Sequence, residues 1–193
     1  MEVILDNGQV HHIHATLDSI NEWWIQSTSH IYKSNRLIYL VEIDGQPMYT
    51  GYEQFIIENY RSINQIRIVT KSHQDSIVET LSMLKAYLTE FIPKSEEISA
   101  FWYGDISAEQ WNQFSVFIEG LNWIVGSLEF LKVLNIDDNV IMLLNNLEAI
   151  IKELDQKLQV EDYVGVGDLI SYELIPVLQR IEQLSDRQEN YMQ

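Results

Sequence analysis

SAEQWNQFSVFIEGLNWIVGSLEFLKVL, Ser107 to Leu134, decides how the rest of the chain is read. One apolar seam runs Phe114, Phe117/Ile118, Leu121, Ile124/Val125, Leu128 and Leu131, which is helix spacing held for about five turns. A second stripe, Val116, Trp123 and Phe130, recurs on another face. A helix that is apolar on more than one face is buried on more than one side. The first seam therefore belongs to a helical core. The second is an interaction surface, to be covered by another domain, a second subunit or a partner. Ser107 and Gln110 have the spacing of a capping box, and Ile106 and Trp111 that of a hydrophobic staple. Gly120 and Gly126 inside the helix each cost about 1 kcal/mol against Ala. Either they allow close packing on a neighbouring helix or they admit a partner's backbone or a ligand. Glu119, Glu129 and Lys132 interrupt the segment within a span-length window, which argues against a transmembrane helix.

Working outward, Asn135 to Asp138 makes a turn, and Asp137 or Asp138 caps the next helix. Its seam is Val140, Leu144, Leu147, Ile151, Leu154 and Leu158, in coiled-coil spacing. The last helix begins near Asp162 and runs to about Arg187, on the stripe Val166, Ile170, Leu174, Val177, Ile181 and Leu184. Pro176 lies inside it and predicts a kink, with the carbonyl of Tyr172 losing its usual partner. Upstream, Ser72 opens a capping box with Asp75, and the helix using Ile77, Leu81, Leu84, Leu88 and Phe91 is predicted to stop before Pro93. Residues 94–106 read as an irregular link. It carries Phe101-Trp102-Tyr103-Gly104, rings that either cover the end of the bundle or form a binding lip. Four long helices joined by short links predict an up-down bundle over residues 72–193.

Residues 1–71 read as a separate α+β domain. Glu2 to Leu5 and Val10 to Ala15 flank Asp6-Asn7-Gly8, the strongest short hairpin signal. The returning strand holds His11-His12-Ile13-His14, with His12 and His14 on one face. That spacing can supply two metal ligands, but no third is identifiable. A helix follows from Thr16 or Asp18, with Leu17, Ile20, Trp24, Ser27/Thr28 and Ile31 facing inward. Leu37 to Ile43 is a strand suited to a central position, Asp44-Gly45 a turn, and Met48 to Thr50 a short return strand. Gly51 to Tyr60 is helical, and Ile63 to Thr70 alternates like a last strand. This order of elements resembles the β-grasp arrangement, in which a mixed sheet wraps one helix. The resemblance implies a fold and no function.

Composition narrows the function classes. The chain has 193 residues, no cysteine and a net charge of −17. The missing cysteines exclude disulfides, thiolate metal sites and cysteine nucleophiles. The acidity argues against nucleic acid and anionic membranes as partners. It is concentrated towards the C-terminus: residues 1–93 carry a net of −5 and residues 94–193 a net of −12. MEVILDNGQ lacks the basic region and apolar core of a signal peptide, so a cytoplasmic protein is expected.

Searching for chemistry returns little. No Glu-x-x-His occurs, which removes the di-iron reading of an acidic bundle. Gly165-Val166-Gly167 is a fragment of a dinucleotide fingerprint at a helix start, so no cofactor is expected. Asp168 and Tyr172 are one helical turn apart, which predicts a carboxylate–hydroxyl contact. The surrounding EDYVGVGDLISYELIPVL, residues 161–178, resembles a segment of uncharacterised proteins from low-GC Gram-positive bacteria. That resemblance implies no activity. The expectation is a non-enzymatic interaction or adaptor protein, self-associating as a homodimer or holding a protein partner through Val116, Trp123 and Phe130. The alternative is a small-ligand or metal module. It would use His12 and His14, or Phe101, Trp102 and Tyr103, with Asp168 and Tyr172 as further binding candidates.

Overall fold

Asp44 and Gly45 take φ of 48° and 81°. Positive φ at both central residues closes a tight hairpin without splaying its strands. The hairpin joins β3 (Arg36–Ile43) to β4 (Gln46–Met48), with Ile43 opposite Gln46. The return strand thus starts at once after the turn, and not at Met48 as its apolar character suggested. The Asp44 carboxylate also accepts the backbone N–H groups of Asn64 (3.0 Å) and Gln65 (2.8 Å). It thereby ties this turn to the start of β5 (Gln65–Ser72).

This computed structural model describes residues 1–5 and 8–186. Asp6 and Asn7 of the expected Asn-Gly turn, and Arg187 at the expected end of the last helix, lie outside the described residues. The chain divides into two compact units, Met1–Ser76 and Ile77–Gln193. The division falls a turn beyond the expected 71/72 boundary. One reason is that His73 N–H donates to the Asn35 carbonyl (3.0 Å), which holds the first turn of the following helix to the first unit.

In the first unit, β1 (Glu2–Ile4) and β2 (Val10–His12) pair antiparallel. The sheet order is β2-β1-β5-β3-β4, with β1 and β5 parallel and the other pairs antiparallel. β5 is the middle strand, and its Ile66 and Ile68 are fully buried. The expected central strand, β3, lies beside it. β3 carries a bulge: Ile38 faces Thr70 and Leu40 faces Val69, leaving Tyr39 as the extra residue. The bulge accounts for an apolar run that does not alternate. Helix α1 (Leu17–Lys33) is capped by Thr16 and buries Ile20, Trp23, Ser27 and Ile31. Trp23, and not Trp24, occupies the inward face, because it lies three residues after Ile20 and four before Ser27. Leu17, also expected inward, is exposed. Helix α2 (Tyr52–Asn59) adds Ile56 to the same core.

The second unit is helical. α3 (His73–Ala100) passes straight through Pro93, contrary to the expected stop. Proline in a helix interior costs about 3 kcal/mol. Phe91, Ile92 and Ile98 are buried on both sides of it, each contributing about 1.5–3 kcal/mol by leaving water. Ser95 Oγ also donates to the Phe91 carbonyl (2.7 Å) next to the break. The irregular link therefore shrinks from 94–106 to 104–107, after a single 3-10 turn at Phe101–Tyr103. α4 (Ala108–Val133) starts with the full Ser107/Gln110 capping box and buries Phe114, Phe117, Leu121, Ile124, Leu128 and Leu131. α5 (Asp138–Gln159) is capped by Asp137. The last helix has three parts: α6 (Tyr163–Leu169), a π turn (Ile170–Leu174) and α7 (Ile175–Asp186). Pro176 cannot donate to the Tyr172 carbonyl. The helix widens just before it, and Ile175 N–H reaches back five residues to Ile170.

Candidate functional site

Helical geometry leaves one face of α4 outside the core. Val116 is 65% exposed, Trp123 39%, Phe130 36% and Val133 80%. With Glu119 and Gly126 between them, these positions advance by alternate steps of three and four, the spacing of a helix-pairing seam. Trp123 is not loose on this face. Its ring lies 4.7 Å from that of Tyr87 on α3. A Cβ built on Gly126 meets nothing within 4 Å, so a gap separates Trp123 from Phe130. α4 has the length and composition to cross a membrane, with 39% of its most apolar window buried. Its apolar character is accounted for by the core seam on one side and this stripe on the other.

Rings connect the stripe to the far end of the unit. From Trp123 and Tyr87 the series continues through Phe91, Phe117 and Phe114 to Trp102, with neighbouring centroids 4.8–5.9 Å apart. Trp102 is fully buried, against Trp111 (5.4 Å) and Tyr163 (5.8 Å). Its indole N–H has no acceptor. Phe101 is half-buried against the core. Tyr103 turns outward and donates to Asp168 Oδ1 at 2.7 Å. The expected Asp168–Tyr172 contact is replaced by this pair, and Tyr172 stands 75% exposed. The hydrogen bond to Asp168 is the main cause holding the Tyr103 phenol above its ordinary pKa, with desolvation and the Asp168 charge adding to it. The phenol is thus kept as a donor. α6 comes close enough here that a Cβ on Gly167 would meet the Ser99 carbonyl at 3.0 Å. The arrangement latches the 3-10 turn onto α6.

The start of α6 shows the same economy. Asp162 accepts the Gly165 N–H (3.0 Å) and the Lys157 ammonium (3.2 Å). These bonds hold its carboxyl below the usual carboxylate range, the Gly165 bond contributing most. A depressed folded-state pKa gives stability that is present above the unfolded value and is lost as pH falls through the folded one. Asp162→Asn should therefore be less stable than the parent at neutral pH, and the two should converge as the solution is acidified through the carboxylate range. Thermal melts across that range check this. A gap independent of pH would show that Asp162 acts only through its shape.

In the first unit the histidines gather beside α1. β2 ends at His12, although Ile13 still exchanges backbone hydrogen bonds with Met1 (3.1 and 3.2 Å). His11, His12 and His14 line one cleft with His30 of α1. Among the described residues, no three His, Asp or Glu side chains come together to hold a metal ion.

Some of this was unreadable locally. Tyr103 and Asp168 are 65 residues apart, and nothing near either announces the other. Val133 was readable, lying three residues beyond Phe130. His30 shares the Trp23 face of α1 at a spacing of seven, a signal visible only once Trp23 is known to face inward.

A family model described as a domain of unknown function (DUF8042) matches residues 79–184. The matched span holds the α4 stripe, the ring series and the Tyr103–Asp168 pair, and begins after the last strand. No curated protein and no solved structure matches the chain.

Proposed function

The chain belongs to the DUF8042 family, a domain of unknown function, and from that premise we propose that it is a non-enzymatic, cytoplasmic protein-interaction module whose α4 face receives an amphipathic helix of a partner protein. The observation that carries the reading is the exposed, evenly spaced face from Val116 to Val133, with Trp123 held in place by Tyr87. A helix laid in such a groove presents apolar anchors at three- and four-residue intervals. Charge favours a basic partner over a second copy. Residues 77–193 carry 7 basic and 20 acidic side chains, a net of −13, so self-pairing sets two strongly acidic units against each other. The strand order with its parallel β1–β5 pair and α1 on the sheet supports a β-grasp-like first unit. The series α3, α4, α5 and α6–α7 supports a four-helix bundle.

Trp123→Glu tests the face. A central aromatic anchor contributes about 2 kcal/mol or more to binding, so affinity should fall roughly 30-fold or more. Capture from native lysate at moderate salt is compared between parent and variant, with light scattering for molar mass. The expected result is a protein with a basic amphipathic helix, lost with the variant at unchanged fold and weakened by salt. A doubled mass that halves in the variant would make a second copy the occupant. Equal capture by both would move the interface off α4.

A further inference from the structure

Four of the five histidines in the chain, His11, His12, His14 and His30, line one cleft of about 550 Å³ between the N-terminal hairpin and α1. All four rings are exposed, and none makes a side-chain hydrogen bond or ion pair among the described residues. Trp23 forms part of the wall, and its buried indole N–H has no acceptor. A buried donor left unmade is costly, and native structures tolerate few of them. Glu22 is the one carboxylate in this lining, and it accepts from Gln26 Nε2 (3.4 Å). The lining thus sets four imidazoles against a single carboxylate. Its volume falls within the range of small-molecule sites.

We propose that this cleft binds a small oxyanion, a carboxylate or a phosphate. Each imidazole offers at least one N–H donor to an anion. An oxygen-rich ligand accepts hydrogen bonds from these N–H groups. A transition metal fits less well, because no three ligating side chains converge among the described residues. The proposal concerns the first unit and is independent of the α4 face.

The test uses the full-length chain, isotopically labelled, at fixed pH and balanced ionic strength. Inorganic phosphate and then citrate are titrated while the imidazole and indole signals are followed. Saturable shifts are expected for the four cleft histidines and for the Trp23 indole N–H, with His73 and Trp123 as internal references. His12→Ala and His30→Ala, both at exposed positions, should each weaken binding about tenfold, near 1.4 kcal/mol. Saturation by phosphate alone or by citrate alone identifies the oxyanion class within the proposal. Linear shifts in which His73 moves equally would overturn it. So would saturation by zinc chloride with both anions silent, which would make the cleft a metal site.

Discussion

Trp102→Ala should destabilise the helical unit by about 3–5 kcal/mol, the largest single-residue effect expected in this chain. Trp102 is 2% exposed and meets Trp111, Phe114 and Tyr163 on three sides. Truncation removes the transfer energy of the indole and leaves a cavity that α3, α4 and α6 must share. Neighbours cannot easily collapse into it, because α6 already packs so closely here that a Cβ built on Gly167 would lie 3.1 Å from the Trp102 Cβ. Trp102→Phe should cost less than its lost volume implies, since it also deletes the indole N–H that has no acceptor. Urea denaturation of the full chain, followed through the helical signal, checks both. A Trp102→Ala variant within 1 kcal/mol of the parent, about the size of a surface change, would show that the ring series does not hold this end together.

Gly120→Ala and Gly126→Ala, six residues apart on α4, should have opposite signs. Both gain about 1 kcal/mol of helix propensity. At Gly126 the new methyl meets nothing within 4 Å, so the variant should be more stable by about that amount. At Gly120 the methyl would collide with the Tyr87 hydroxyl and lie 2.5 Å from Phe91 Cε2. Tyr87 is half-buried and can swing aside. Phe91 cannot, because it stacks between Tyr87 (5.2 Å) and Phe117 (5.0 Å) and is 7% exposed. Overpacking of this kind costs about 1–3 kcal/mol and should outweigh the propensity gain. Melting curves of the two variants decide it, and a shift in the same direction for both would refute the packing argument. Gly126→Ala carries a second readout. It fills the gap beside Trp123, so it should weaken partner capture while raising stability.

The two glycines also show how far the sequence could be read. Helix periodicity identified the core seam of α4, the Ser107 cap followed from local chemistry, and the next cap was narrowed to Asp137 or Asp138. Whether a helical glycine meets a ring or open space depends on which neighbour lies opposite, and that is tertiary information. The same limit appears at Pro93. The local rule ends a helix there, but the apolar residues on both sides belong to one core, and burial overrides the rule. At Trp23-Trp24 the apolar pattern pointed to Trp24, and packing on the sheet turned Trp23 inward instead. The candidate site divides in the same way. The α4 stripe was legible because it is periodic within one helix. The Tyr103–Asp168 latch and the four-histidine cleft were not, since each joins elements distant in the chain.

The sheet order has a consequence for how the protein is made. β1 leaves the ribosome well before its parallel partner β5, which is almost the last element of the first unit. Gln65, whose side chain donates to Glu2, is 63 residues further on. At about 5–20 residues per second, the N-terminal strand waits roughly 3–13 seconds for the strand that closes its open edge. The strand that waits, β1, is only three residues long. The nascent chain therefore spends that interval with only a short edge on offer to its neighbours.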